Sequence, residues 1–306
     1  MTRLPAAPDF VATSRRAFLR GGALTLIAGG MAALPRALCD AAEPAARPLR
    51  IGLLTDLHYA DKPPTGTRFY RETPTKLEEA AARFQREKLD FVVELGDLID
   101  SADDLETEKS YLKQVNTLFR TLPGDKHYVL GNHCVSALTK DEFLGEVGAA
   151  GRARVVRRRR SAFRDPRRLL QLRRRGVWAE QLQVERREHP RRATRMAAGR
   201  SAQAKTPTIV FAHQRLDVKN DYGVKNAEAV RKILEASGRV KAVFQGHSHK
   251  NDLKSIAGIP YCTLTAMIEG SGVENNGYAI LEITDDALSV SGFRKQAGYK
   301  PLVAAG

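Results

Sequence analysis

The chain has 306 residues, 50 Lys and Arg against 35 Asp and Glu, a formal charge of +15 and 42% apolar residues. Such a chain can bury a sizeable core, and its three cysteines are too few for a disulfide framework. The charge is local: Gly151–Ala204 holds eighteen Arg, no Lys and four acidic residues. The rest is almost neutral, so a nucleic-acid-binding role for the whole protein loses its support.

Residues 1–46 read as a leader. Ser14-Arg15-Arg16-Ala17-Phe18-Leu19 is a twin-arginine pattern, and Gly21–Leu34 is a Gly- and Ala-rich apolar run. That run falls short of the ~20 residues that span a bilayer, so it reads as the apolar part of a signal peptide cleaved between Asp40 and Arg47. The expectation is export by the twin-arginine machinery to the periplasm or beyond, with no stable membrane span; replacing Arg15 and Arg16 by Lys tests it by trapping the chain inside the cell.

From residue 47 onward about 260 residues remain, enough for one α/β domain. Leu49–Thr55 reads as a buried strand running into Asp56-Leu57-His58. A loop with Tyr59-Ala60-Asp61 and Arg68-Phe69-Tyr70-Arg71 follows and is placed to meet a nucleotide phosphate and base. Thr75–Lys88 has helical periodicity through Leu77, Ala81 and Phe84. Phe91–Asp100 (FVVELGDLID) then delivers Asp97 to the end of a second buried strand, where open α/β sheets bind ligands. A second helix covers Leu105–Leu122. His127–Leu130 leads into Gly131-Asn132-His133, Thr208–Ala212 ends at His213, and Val240–Gln245 ends at Gly246-His247-Ser248-His249. Between the last two, Gly223–Gly238 reads as a helix stopped by glycine. Short strands at Leu253–Ile256, Tyr261–Met267, Tyr278–Ile283 and Leu288–Phe293 are expected to complete a second sheet, and Asn275-Asn276-Gly277 reads as a structural turn.

Five of the seven histidines thus follow strands. Two Asp, one Asn and four His suit a pair of divalent first-row metals, whereas thiolates indicate structural zinc and all-oxygen sets calcium or magnesium. Two metals about 3.5–4 Å apart need a bridging carboxylate, and they stabilise the attacking and leaving oxygens of phosphoryl transfer.

The order DLH, GDLID, GNH, H, GHSH resembles the calcineurin-like metallophosphoesterase family over residues 49–144 and 206–293. The resemblance implies an α/β, four-layer αββα sandwich of two mixed β-sheets flanked by helices, with metals at the strand C-terminal ends. It implies that Asp56, His58 and His249 hold one Mn, Fe or Zn ion, that Asn132, His213 and His247 hold the other, and that Asp97 bridges them. It further implies hydrolysis of a small phosphate mono- or diester, or a nucleoside-diphosphate-type substrate, by a metal-bridging hydroxide. His133 is then the general acid and Asp100 its orienting partner. Gly-Asn-His-Cys with the basic, aromatic loop is similar to the manganese-dependent ADP-ribose and CDP-alcohol diphosphatase branch. Cys134 departs from the Asp or Glu commonest at its position.

Gly151–Ala204 fits none of this. Arg without Lys suggests GC-rich codons read out of phase, and back-translating Ser161–Gln171 one base later permits a buried strand ending in Asp. We therefore expect a frame-shifted stretch, irregular in structure, which re-reading the gene would decide. Two rivals follow: an inactive, misfolded product of a disrupted gene, or an Arg-rich polyanion-binding protein, which salt-sensitive binding to polyanions would reveal.

Overall fold

A computed structural model describes residues 47–148, 156–159, 176–182, 207–284 and 287–304. The first half builds β1 (Leu49–Leu54), α1 (Thr73–Gln85), β2 (Phe91–Glu94), α2 (Leu105–Phe119), β3 (Asp125–Tyr128) and α3 (Lys140–Glu146). Next come β4 (Val156–Arg159), β5 (Gly176–Leu182), β6 (Thr208–Ala212), α4 (Ala227–Ser237) and β7 (Val240–Gln245). The chain closes with β8 (Asp252–Ile256), β9 (Ile259–Thr263), β10 (Gly277–Ile283), β11 (Ala287–Arg294) and β12 (Tyr299–Ala304).

The strands form two six-stranded mixed sheets, ordered β12-β11-β10-β1-β2-β3 and β4-β5-β6-β7-β9-β8. Period-2 alternation sends each strand's side chains to two different cores. Leu53, Phe91 and Val93 point between the sheets, where they meet Phe211, Phe244 and Leu281. Leu54, Val92 and Tyr128 face outward onto Leu77, Phe84, Val115 and Phe119 of α1 and α2. On the far side Val210 and Val243 pack beneath Val230 and Leu234 of α4. Helix, sheet, sheet and helix are therefore stacked as four layers, as expected, and β1 and β2 read as continuous apolar runs because both their faces are covered.

Local chemistry sets the helix ends. Pro74 occupies the first turn of α1, starting it two residues earlier than periodicity suggested. The Asp104 side chain caps α2 by accepting from Thr107 N at 2.8 Å. Gly238 stops α4 at φ +61°.

Three expectations need correction. The C-terminal strands do not all complete one sheet: β8 and β9 join β7, whereas β10 pairs antiparallel with β1 and carries β11 and β12 into the first sheet. The strand expected over Tyr261–Met267 ends at Thr263, because Leu264–Glu269 leaves the sheet to line the strand ends. Gly151–Ala204 is not irregular throughout, since β4 pairs with β5, and β5 lies parallel to β6 with Trp178 opposite Thr208. The open edge of β6 offers a ladder of hydrogen-bonding groups that an extended GVWAEQL segment satisfies. The remainder of that segment, the leader with Cys39, and the frame-shift reading lie outside the described residues. No helix among the described residues is long and apolar enough to cross a membrane.

Candidate metal centre

Each expected site residue lies just beyond a strand. Asp56 and His58 follow β1, Asp97 and Asp100 follow β2, Asn132 and His133 follow β3, His213 follows β6, and His247 and His249 follow β7. Backbone hydrogen bonds tie these ends together: Asp56 N donates to Gly96 O at 2.9 Å, His58 N to Asp97 O at 2.8 Å, and Gly246 N to His213 O at 3.0 Å. Among the described residues, five of the eight non-glycine residues with positive φ are Asp56, His58, Asp97, His247 and His249. Left-handed backbone is costly for such residues and collects at functional sites. Two glycines let the strand ends approach. A Cβ on Gly131 would lie 2.0 Å from Asp97 Oδ1, and one on Gly96, at φ +110°, would lie 2.4 Å from His213 Nδ1.

Three groups of side chains converge closely enough to share a cation: Asp56, His58 and His249; Asp97, His213 and His247; and His58, Asp97 and His133. His58 Nε2 is 3.1 Å from His249 Nε2, and His213 Nε2 is 3.1 Å from His247 Nδ1. Asp97 Oδ2 lies between the two halves, 3.1 Å from His213 Nε2 and 3.6 Å from His58 Nε2. Asp97 Oδ1 accepts from His133 N at 2.8 Å, so the backbone fixes the carboxylate's orientation. The donor set fits two divalent ions on a further count. Asp56 Oδ1 and Asn132 Oδ1 are buried acceptors without a hydrogen-bond donor, an arrangement costing about 1–3 kcal/mol each unless a cation takes the lone pair.

Partners on the far side of the rings fix their tautomers. His213 Nδ1 bonds Leu95 O at 3.0 Å, and His58 Nδ1 bonds Asp100 Oδ1 at 3.0 Å. Asp100 Oδ1 also lies 2.7 Å from His133 Nδ1, while its Oδ2 takes Lys62. Ser101 Oγ reaches His133 Nδ1 at 3.0 Å.

Sequence reasoning missed several residues. Glu269 holds His249 Nδ1 at 2.6 Å. Lys76 is buried in α1 and donates to the carbonyls of Met267, Glu269 and Gly270, anchoring the loop that carries Glu269. Glu94, buried in β2, accepts from Gly96 N at 2.8 Å, and burial pushes its carboxyl well above the usual range. Only Glu269 left a signal, as a charged residue at the end of the apolar run Ala266–Ile268. In the loop above the site, Tyr70 is buried beneath Lys62 and is not offered to a ligand, whereas Arg71 is exposed in a surface ion pair with Asp61. Cys134 and Cys262 are buried free thiols, as expected, and burial pushes both upward.

The charges are interlocked. Burial opposes ionisation throughout, yet His213 and Asp97 stabilise each other's charged forms, raising His213 and lowering Asp97. Burial likewise works against a charged His249, but Asp56 and Glu269 outweigh it and hold the ring up at about 9. His247 goes the other way, to about 4, through burial and the charge of His213. A proton on His249, His58 or His213 competes with a cation for the same nitrogen. Divalent-ion uptake near neutral pH is therefore expected to release protons and to strengthen as pH rises. Calorimetry in buffers of different ionisation heat checks this, and a buffer-independent heat would contradict it.

Two sheets whose strand ends gather carboxylates and imidazoles have the layout of a two-metal phosphoesterase fold, and comparison with known proteins agrees. The model of the calcineurin-like phosphoesterase family matches residues 49–251, and the chain belongs to that family. A dimetal phosphatase from Danio rerio has a similar fold, with a TM-score of 0.63 and 16% identity, covering 85% of this chain and 100% of that one. GAP50, the anchor in the inner membrane complex of Plasmodium, is similar at TM-score 0.56 and 11% identity, covering 83% and 87%. A manganese-dependent ADP-ribose/CDP-alcohol diphosphatase from Arabidopsis thaliana is 28% identical over 107 residues, 33% of this chain and 34% of that protein. The match thus spans about a third of the relative's length.

Proposed function

We propose that this chain hydrolyses a small organic phosphate, with Asp56, His58 and His249 holding one divalent ion, Asn132, His213 and His247 a second, and Asp97 shared by both. The observation that carries this reading is the placement of Asp97 Oδ2 between His58 and His213 while its other oxygen is fixed by His133 N. When bound, such a pair of ions polarises the phosphoryl oxygens and acidifies a shared water. The chain's own groups do the rest. Asp100 accepts from His58 and His133 together, so one carboxylate orients a ligand ring and a proton donor. His133, with its Nδ1 held by Asp100, gives up a proton to the leaving oxygen.

Manganese, iron and zinc suit this mixture of imidazole and carboxylate, and the relative named above favours manganese. That relative also supports a nucleoside-diphosphate-type substrate. Half-buried Arg68, close enough to bias the charges of Glu269 and His249, would meet its second phosphate. Exposed Tyr222, whose ring is 5.8 Å from His247, offers a face to its base. The twin-arginine leader supports a periplasmic or extracellular location. Hydrolysis of 4-nitrophenyl phosphate, bis(4-nitrophenyl) phosphate and ADP-ribose should vanish after exhaustive chelation and return with manganese. Undiminished activity after chelation would refute the metal reading, and a preference for the monoester over ADP-ribose would refute the substrate.

A further inference from the structure

Glu108 is a carboxyl group with no solvent contact in the fourth position of α2, a helix otherwise placed to cover the outer face of the first sheet. Its side chain is not spent on the helix. Glu108 Oε1 accepts from Ala102 N at 3.2 Å, and Glu108 Oε2 accepts from both Ala137 N and Leu138 N at 3.0 Å. These amides belong to two different loops. Ala102 ends the run Asp100-Ser101-Ala102, whose first two side chains both contact His133 Nδ1. Ala137 and Leu138 lie on the loop that leaves β3 through His133 itself. One buried side chain therefore fastens the loop carrying the imidazole to the loop carrying the groups that orient it.

From this juxtaposition we infer that Glu108 is a positioning residue for proton donation: it sets the separation of His133 from Asp100 and Ser101 without touching substrate or metal. Its three donors are all backbone amides, so the clamp fixes main-chain position and does not depend on the chemistry of Ala102, Ala137 or Leu138. The carboxyl group is the part that matters. An amide has a single acceptor oxygen, and its NH2 group would oppose one of the N–H donors. The loops would then separate at whichever contact is lost. A shift of the order of 1 Å between a proton donor and its orienting group is felt mainly where protonation of the leaving oxygen limits the rate.

The inference rests on the reading of His133 as the proton donor, and the test separates the two. Full-length wild type, Glu108→Gln and His133→Ala are compared, each loaded with manganese, on a 4-nitrophenyl ester and an alkyl ester of the same phosphate, with bound manganese measured alongside. Glu108→Gln is expected to lose about tenfold in kcat on the alkyl ester and under about twofold on the nitrophenyl ester, with manganese content unchanged. Equal losses on both esters, or no loss, would overturn the inference while His133→Ala still discriminates between them. Equal losses for His133→Ala would instead remove the reading on which it rests. Should Glu108→Gln not fold, Glu108→Asp, one methylene shorter, is read in the same way. Failure of both to fold would assign Glu108 to the stability of the whole domain and overturn the proposal.

Discussion

Asp97→Asn is expected to lower hydrolysis by roughly a thousandfold or more, the scale on which enzymes lose rate when a fixed electrostatic group at the reacting atoms is removed. Asp97 Oδ1 is committed to His133 N, so only Oδ2 faces the imidazoles of His58 and His213. An amide there either turns its NH2 toward a backbone N–H or toward the cations, and both arrangements repel. The negative charge that raises His213 is lost as well. The loss should therefore appear in metal stoichiometry as well as in kcat. A variant that keeps both ions and the parental rate would show that Asp97 does not join the two halves of the site.

His133→Ala should behave differently. The ring takes no part in either of the triads that hold Asp56 with His249 or His213 with His247, so those donors survive its removal. General acids contribute about 100- to 10,000-fold, but only where the leaving oxygen needs a proton. We expect a loss of about 100-fold on alkyl phosphates, a loss of less than about threefold on nitrophenyl phosphates, and retained metal. Equal loss on both would assign His133 to metal binding through its closeness to His58 and Asp97.

Much of this site is legible in the sequence because its candidate ligands are consecutive with strands. FVVELGD and TIVFAH each place an apolar run directly before a hard or imidazole donor, and burial on both faces makes such runs conspicuous. The layer order follows once the sheets are known to be covered on both sides. Partner choice does not follow: alternation in Gly277–Ile283 tells which side chains face inward but not that the strand will pair with β1. α3 escaped notice because seven residues with two large apolar side chains carry little periodicity. Its start is nonetheless written as a capping box between Thr139 and Glu142. The supporting residues were the least visible. Lys76, Glu108 and Glu269 are charged, and pattern reading places charged residues on the solvent side of an element. Here each is satisfied by backbone groups or by a histidine that only the folded chain supplies.

The placement of the candidate ligands also bears on when the site comes into being. His58 and His249 are 191 residues apart, as are Asp56 and the backbone N–H of His247 that it accepts from, and His213 is 118 residues from the Leu95 carbonyl that orients it. Contacts of such separation form late, because a long loop must be closed before any of them can be made. Two of the three triads combine residues from both ends of the domain, so a chain with only its first sheet paired has neither. Reaching the proposed two-ion state is thus a readout of completed folding: a half-assembled chain has at most the His58, Asp97 and His133 group, and neither triad that joins the two sheets.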